Sequence, residues 1–132
     1  MPLTQLIYSS RPLGFDDAIL SQILLTARRN NANAHVTGCL ICRGDLYLQL
    51  LEGPDEAVAR LYDSILEDDR HLEVTRRLHR QTETRLFDGW AMRDDPAQSW
   101  LWTKEEVDAG ALDRADEDAF LAVFNRVARR IG

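Results

Sequence analysis

The fold is decided by the stretch Val36-Thr37-Gly38-Cys39-Leu40-Ile41-Cys42-Arg43-Gly44-Asp45-Leu46-Tyr47-Leu48-Gln49-Leu50-Leu51-Glu52. Gly44-Asp45 separates two β-compatible runs and reads as a tight hairpin turn. In the second run Tyr47, Gln49 and Leu51 face one way, while Leu46, Leu48 and Leu50 face the other. Both faces are largely apolar, so both need cover.

Working outward, Leu3 to Ser9 alternates as a strand does, and Ser10-Arg11-Pro12-Leu13-Gly14 reads as a breaker. A helix is expected from Asp16-Asp17, with Ile19, Leu20, Ile23, Leu24 and Ala27 at helical spacing. Arg28 and Arg29 fall in its expected last turn, and Asn30-Asn31-Ala32-Asn33 is expected to end it. Downstream of the hairpin, Gly53-Pro54 stops the strand, with proline suited to the first position of a helix. That helix carries Asp55 and Glu56 in its first turn and the stripe Val58, Leu61, Tyr62, Ile65, Leu66. Leu72 to Thr82 and Trp90 to Arg93 read as two further strands.

The order is therefore β-α-β-β-α-β-β, a ferredoxin-like α+β arrangement with two helices on one sheet face. Those two helices cover only one side, so a C-terminal helix or a partner subunit is expected on the other. From about Thr103 the chain reads as helical, with Phe120, Val123, Phe124, Val127 and Ile131 on one stripe. The expected division is a domain over 1–95 and a helical extension over 96–132 on the far face of the sheet.

Composition narrows the function classes. The chain has 132 residues with 45% apolar and 29% charged, the balance of one globular domain. Its net charge of -6, from 16 basic and 22 acidic residues, argues against a nucleic-acid partner. The arginines between Arg70 and Arg85, alternating with Val74 and Leu78, read as a solvated edge strand. No stretch approaches the ~18 apolar residues of a membrane span, and Met1-Pro2-Leu3-Thr4-Gln5 has no signal-peptide character, so a cytoplasmic location is expected. Cys39 and Cys42 form a C-x-x-C, but on a strand positions three apart face opposite ways and lie ~10 Å apart. A disulfide needs Cα atoms within ~7 Å, and no second pair completes a zinc site. Both are read as small buried residues, and no metal is expected.

Gln49 is the odd residue, an amide in an apolar central strand. A buried amide without partners costs ~1–3 kcal/mol, so either a protein group, a water or a ligand's polar edge must meet it. Tyr8, on a strand that this topology places beside the third, is expected to pack its ring and find one hydroxyl partner, and could lie close enough to Gln49 to hydrogen-bond it. Trp90 and Met92 share one face of the last strand.

Tyr8-x-Ser10, Asn31 followed by Val36-Thr37-Gly38, Gln49 ahead of Leu51-Glu52-Gly53, and Gly89-Trp90-x-Met92, in this order and spacing, resemble the BLUF family, sensors of blue light using FAD. The resemblance runs over about residues 3 to 95 and is to a short, stand-alone member. It implies an FAD chromophore held between the two helices, with Ile23 and Ile65 against the ring and Asn31, with Asn30 beside it, at the ring's polar edge. It implies that Asp68, Arg70 and His71 lie near the ribityl and phosphate portion, and that Gln49 bridges the ring to the Tyr8 hydroxyl. The resemblance further implies that Met92 adjoins the cofactor and that Trp90 and Met92 relay the state of Gln49. Excitation would draw an electron and then a proton from Tyr8 and rearrange the Gln49 hydrogen bonds. The signal would leave through the last strand and C-terminal helices to an unidentified protein in trans, or within a homodimer, without enzymatic activity.

Two alternatives remain at this level. A ferredoxin-like acylphosphatase would use Arg11 with Asn31 or Asn33, but Ser9-Ser10-Arg11-Pro12 lacks the Gly-rich phosphate cradle. A ligand-binding regulatory module without flavin would equally account for two apolar sheet faces.

Overall fold

The computed structural model describes residues 3–12, 17–68, 71–87, 93–96 and 101–129, with backbone alone at 12, 17–20, 26, 30–33, 71 and 93–96. The elements are β1 (Leu3–Pro12), α1 (Asp17–Ala34), β2 (Thr37–Arg43), β3 (Leu46–Gly53), α2 (Asp55–Leu66), β4 (His71–Thr82), β5 (Arg93–Pro96), α3 (Lys104–Asp108), α4 (Ala111–Arg114) and α5 (Glu117–Arg129). The strands form one sheet in the order β4-β1-β3-β2-β5, antiparallel except for β5, which runs parallel to β2. This is the ferredoxin-like α+β architecture expected from the sequence, with one strand added beside β2.

The hairpin forms where Gly44-Asp45 predicts it, Arg43 pairing with Leu46 across a two-residue turn. Arg43 fastens the turn, its Nε 2.5 Å from Asp45 Oδ1 and its Nη2 3.1 Å from Oδ2. Every residue of β3 is buried, as the two apolar faces require. On one face, Leu6, Tyr8, Leu40, Tyr47 and Leu51 pack with Ile23 and Leu24 of α1 and Val58 and Ile65 of α2. On the other, Ile7, Ile41, Leu46, Leu48 and Leu50 pack with Leu112, Phe120, Val123, Phe124 and Val127. The C-terminal helices therefore supply the second cover. Burying the four α5 side chains contributes roughly 6–12 kcal/mol before the entropy of ordering them. Cys39 belongs to the second cluster and Cys42 to the first, the opposite facing expected of strand positions three apart.

Several boundaries differ from the sequence reading. β1 continues to Pro12, because beyond Ser10 it is flanked by β4 alone and a missing N–H is tolerated there. α1 runs through the asparagines to Ala34, and His35, at φ 59°, takes the left-handed turn that ends it. Arg28 and Arg29 consequently lie before the last turn. Pro54 is the N-cap of α2 rather than its first helical residue, its carbonyl accepting from Val58 N at 3.0 Å. Leu66, expected on the buried stripe, is 51% exposed at the helix end. The fifth strand is seen over Arg93–Pro96, paired with Cys39–Cys42, whereas Trp90 to Met92 lie outside the described residues.

Gly53 marks a close approach: a Cβ there would stand 3.0 Å from His35 O and 3.2 Å from Val36 Cα, both backbone. Glycine thus lets the start of β2 pass against the exit of β3. β4 is the edge strand expected of its arginines, and its register with β1 shifts between Ile7 and Tyr8 and again between Ser9 and Arg11. These bulges flank the segment that carries Tyr8. They also change which face the following side chains take, so that Val74 packs toward α1 and α2 while Leu78 joins the opposite core.

Candidate functional site

Tyr8 and Gln49 stand directly opposite one another across β1 and β3, and both face α1 and α2. Both are buried, and the Tyr8 hydroxyl donates to Gln49 Oε1. The Tyr8 ring lies 6.0 Å from the Tyr62 ring of α2, tilted by 52°. Ile23, Leu24, Val58 and Ile65 supply aliphatic walls from the two helices. One phenol and one carboxamide are thus held in contact within an apolar setting.

Burial pushes the Tyr8 phenol well above its ordinary pKa, and the nearby carboxylate of Asp68 pushes it further, with smaller contributions from Tyr47 and Tyr62. The phenol therefore stays protonated and acts as a donor at neutral pH. Tyr62 is also raised, by burial first, with Asp63 adding to it and Arg76 opposing. With Oε1 turned to the phenol, the Nε2 end of Gln49 is its donating end. Rotating or tautomerising the carboxamide exchanges these roles with little change in volume.

The other expected site residues are placed as follows. Ile23 and Ile65 are buried on the walls of the same cluster. Asp68 follows α2, half-buried, with its amide on Ile65 O at 3.1 Å. Asn30 and Asn31 lie in the last turns of α1, and His71 opens β4, each with its side chain outside the described residues. Arg70, Trp90 and Met92 lie outside the described residues altogether. The structure thus brings Tyr8, Gln49, Ile23 and Ile65 together. Tyr62 was read only as one position of a stripe; helical spacing put it on the sheet-facing side of α2 but gave no sign that its ring would neighbour Tyr8. Among the described residues no group of histidine, cysteine, aspartate and glutamate side chains is arranged for a metal ion, and no helix is long and apolar enough to cross a membrane.

A flat aromatic ligand with a polar edge suits this donor set. Aliphatic side chains on two helices offer faces to stack on, and Gln49 offers an amide with both a donor and an acceptor. The fold and site define a small α+β domain with a buried phenol–carboxamide pair on its two central strands. The family of sensors of blue-light using FAD matches residues 3–93, and the chain belongs to this BLUF family. FAD is the chromophore of that family, and blue-light sensing is its function.

The chain is 44% identical over 73 residues to the photoactivated adenylate cyclase subunit beta of Euglena gracilis, covering 55% of this chain and 8% of the cyclase. It is 36% identical over 87 residues to the blue light- and temperature-regulated antirepressor BluF of Escherichia coli, covering 64% of this chain and 21% of that protein. It thus spans less than a quarter of the length of these relatives. Among solved structures, the BLUF protein BlrB in its dark state superposes with a TM-score of 0.74 at 28% identity, covering 97% of this chain and 96% of that one.

Proposed function

We propose that Tyr8 and Gln49 are the photochemical pair of this blue-light sensor and that the remaining site residues hold its FAD. The observation that carries this reading is the buried hydrogen bond from the Tyr8 hydroxyl to Gln49 Oε1, on the sheet face covered by α1 and α2. Bound FAD supplies absorption of blue light and an excited state that readily accepts an electron. Ile23 and Ile65 exclude water from the ring, and Asn30 and Asn31 meet its polar edge. Asp68, Arg70 and His71 serve the ribityl and phosphate portion, and Met92 borders the site. Tyr8 keeps its proton on oxygen in the dark, because burial and Asp68 both disfavour the phenolate. Gln49 accepts that hydroxyl through Oε1, and the swap of its two ends stores the light signal as a different hydrogen-bond pattern.

The signal leaves through Trp90, Met92 and the last strand to the helices of a C-terminal extension, taken as 96–132 beside a sensor domain over 1–95. It passes to another protein in trans, or between two copies of the chain. In this reading the chain is a sensor and carries no enzymatic activity of its own.

The test is an absorbance spectrum of the purified protein with FAD before and after blue light. The reading expects a yellow protein whose absorbance edge moves to the red and returns in the dark, with no such movement in Tyr8→Phe. A colourless preparation that hydrolyses acyl phosphates would replace this reading with the enzymatic one.

A further inference from the structure

Glu52, the penultimate residue of β3, lies on the face opposite Gln49 and is fully buried. Its carboxylate collects several donors. Oε2 accepts from Gln5 Nε2 at 2.8 Å and from Leu86 N at 2.8 Å, while Oε1 accepts from Leu86 N and Phe87 N, each at 3.0 Å. Arg85 closes the same junction, its Nη1 donating to Thr37 Oγ1 at 2.8 Å and to the Glu52 carbonyl at 3.1 Å. Phe87, which this arrangement fixes, is buried and meets Phe124 of α5 edge-on, with centroids 6.4 Å apart and planes at 89°.

A buried carboxylate is a costly way to close a loop, since desolvating it must be offset by charge-assisted bonds about twice as strong as neutral ones. What this carboxylate secures is a particular connection. Residues 86 and 87 follow β4 in the chain, yet their amides are held by β3, the strand that carries Gln49 three residues earlier. The same two residues lead toward Trp90 and Met92 and present Phe87 to α5.

We propose that Glu52, seconded by Arg85, is a positioning residue of the light response, tying the end of the Gln49 strand to Phe87 and through it to α5. This rests on the Tyr8–Gln49 reading. A rearrangement at Gln49 that strains β3 is delivered to Leu86 and Phe87 because the carboxylate holds their amides to that strand. Without it, the site still responds to light but α5 is no longer informed.

The experiment uses the full chain with FAD, comparing wild type with Glu52→Ala, Glu52→Gln and Arg85→Ala. Two quantities are read in each: the reversible light-induced absorbance shift, and amide hydrogen exchange in darkness and under illumination. In Glu52→Ala and Arg85→Ala the absorbance shift is expected to match wild type. Dark exchange at Leu86 and Phe87 should accelerate roughly tenfold or more, the loss of a charge-assisted bond. The light-minus-dark difference across residues 120–127 should fall by roughly half or more, with Glu52→Gln, which keeps an acceptor oxygen, between the two. A light-minus-dark difference in α5 equal to wild type in a folded variant overturns the proposal while leaving the Tyr8–Gln49 reading intact. No absorbance shift in wild type removes that reading and the proposal with it. Should Glu52→Ala not fold, Arg85→Ala decides, because it loosens the same junction without stranding buried amides.

Discussion

Tyr8→Phe deletes one oxygen and nothing else, so its consequences can be worked from the structure. The hydroxyl donates to Gln49 Oε1 inside a buried cluster, and its removal takes a donor from a carboxamide that water does not easily reach. Withdrawing a donor from a buried polar group costs about 1–3 kcal/mol, partly offset because a benzyl ring is less costly to bury than a phenol. With a denaturant slope of about 2 kcal/mol per molar urea, the unfolding midpoint of the FAD-free protein should fall by roughly 0.5–1.5 M. The pH dependence supplies a second, signed reading. The folded-state pKa of Tyr8 lies above its ordinary value of 10.0, so its neutral form is favoured by folding. That contribution is complete below pH 10.0 and is lost as pH rises from there toward the folded-state pKa, since the unfolded chain sheds the proton first. Wild type should therefore lose stability steeply above that pH, and Tyr8→Phe less steeply. With FAD bound, the variant should stay yellow and give no reversible shift. An unfolding midpoint unchanged from wild type, together with an unchanged alkaline limb, would refute the account of the buried pair; a normal photocycle would remove Tyr8 from the photochemistry.

Gln49→Leu should bind FAD and give no normal photocycle, checked by the same illumination spectra; persistence of the usual shift would take Gln49 out of the mechanism. Phe124→Ala leaves a cavity between α5 and the sheet, opposite Phe87, and should cost about 3–5 kcal/mol in urea unfolding, whereas a loss under about 1 kcal/mol would mean α5 packs dispensably. The Asp45 carboxyl would be raised by burial, but the hydrogen bond and charge of Arg43 more than offset this and hold it below its ordinary 3.8. Its contribution is present above that pH and is lost as pH falls below it, so Arg43→Ala should flatten the acid limb of a stability–pH curve; an identical acid limb would show that the hairpin turn does not depend on the pair.

Local alternation and turn chemistry were enough to read the hairpin, the two-faced third strand and the need for a second cover. These features depend on residues close together in the chain, such as Gly44-Asp45 and the run from Leu46 to Glu52. Two adjacent central strands made a Tyr8–Gln49 contact possible, but their register was open, and it was the resemblance to the BLUF family that implied the pairing. The end of α1 was not legible, because three asparagines that could stop it, Asn30, Asn31 and Asn33, precede His35, and only tertiary packing decides which residue takes the left-handed conformation. Likewise the bulges in β4 were invisible: an extra residue at Arg77 changes facing without disturbing composition, and the pairing partner on β1 determines where it falls. Glu52 gave no signal of its own. A glutamate at the end of a strand usually reads as solvated, and its donors, the amides of Leu86 and Phe87, are 34 and 35 residues away.

The position of β3 constrains how any change at Gln49 can travel. The strand pairs with β1 from Thr4 to Ser10 and with β2 from Thr37 to Arg43, and both its faces are packed. Moving it bodily would disturb hydrogen bonds on two sides, each worth about 1 kcal/mol, along with the packing of both cores. A carboxamide that exchanges its ends gains or loses hydrogen bonds worth about 1 kcal/mol each, enough to strain the strand locally but not to dislodge it. β5, by contrast, holds only Cys39 to Cys42 of β2, and β4 is joined to the sheet through β1 alone. The compliant parts of the sheet are therefore its edges, one of which continues into the segment 83–87. The carboxylate that fastens residues 86 and 87 to β3 stands where the rigid strand meets that segment.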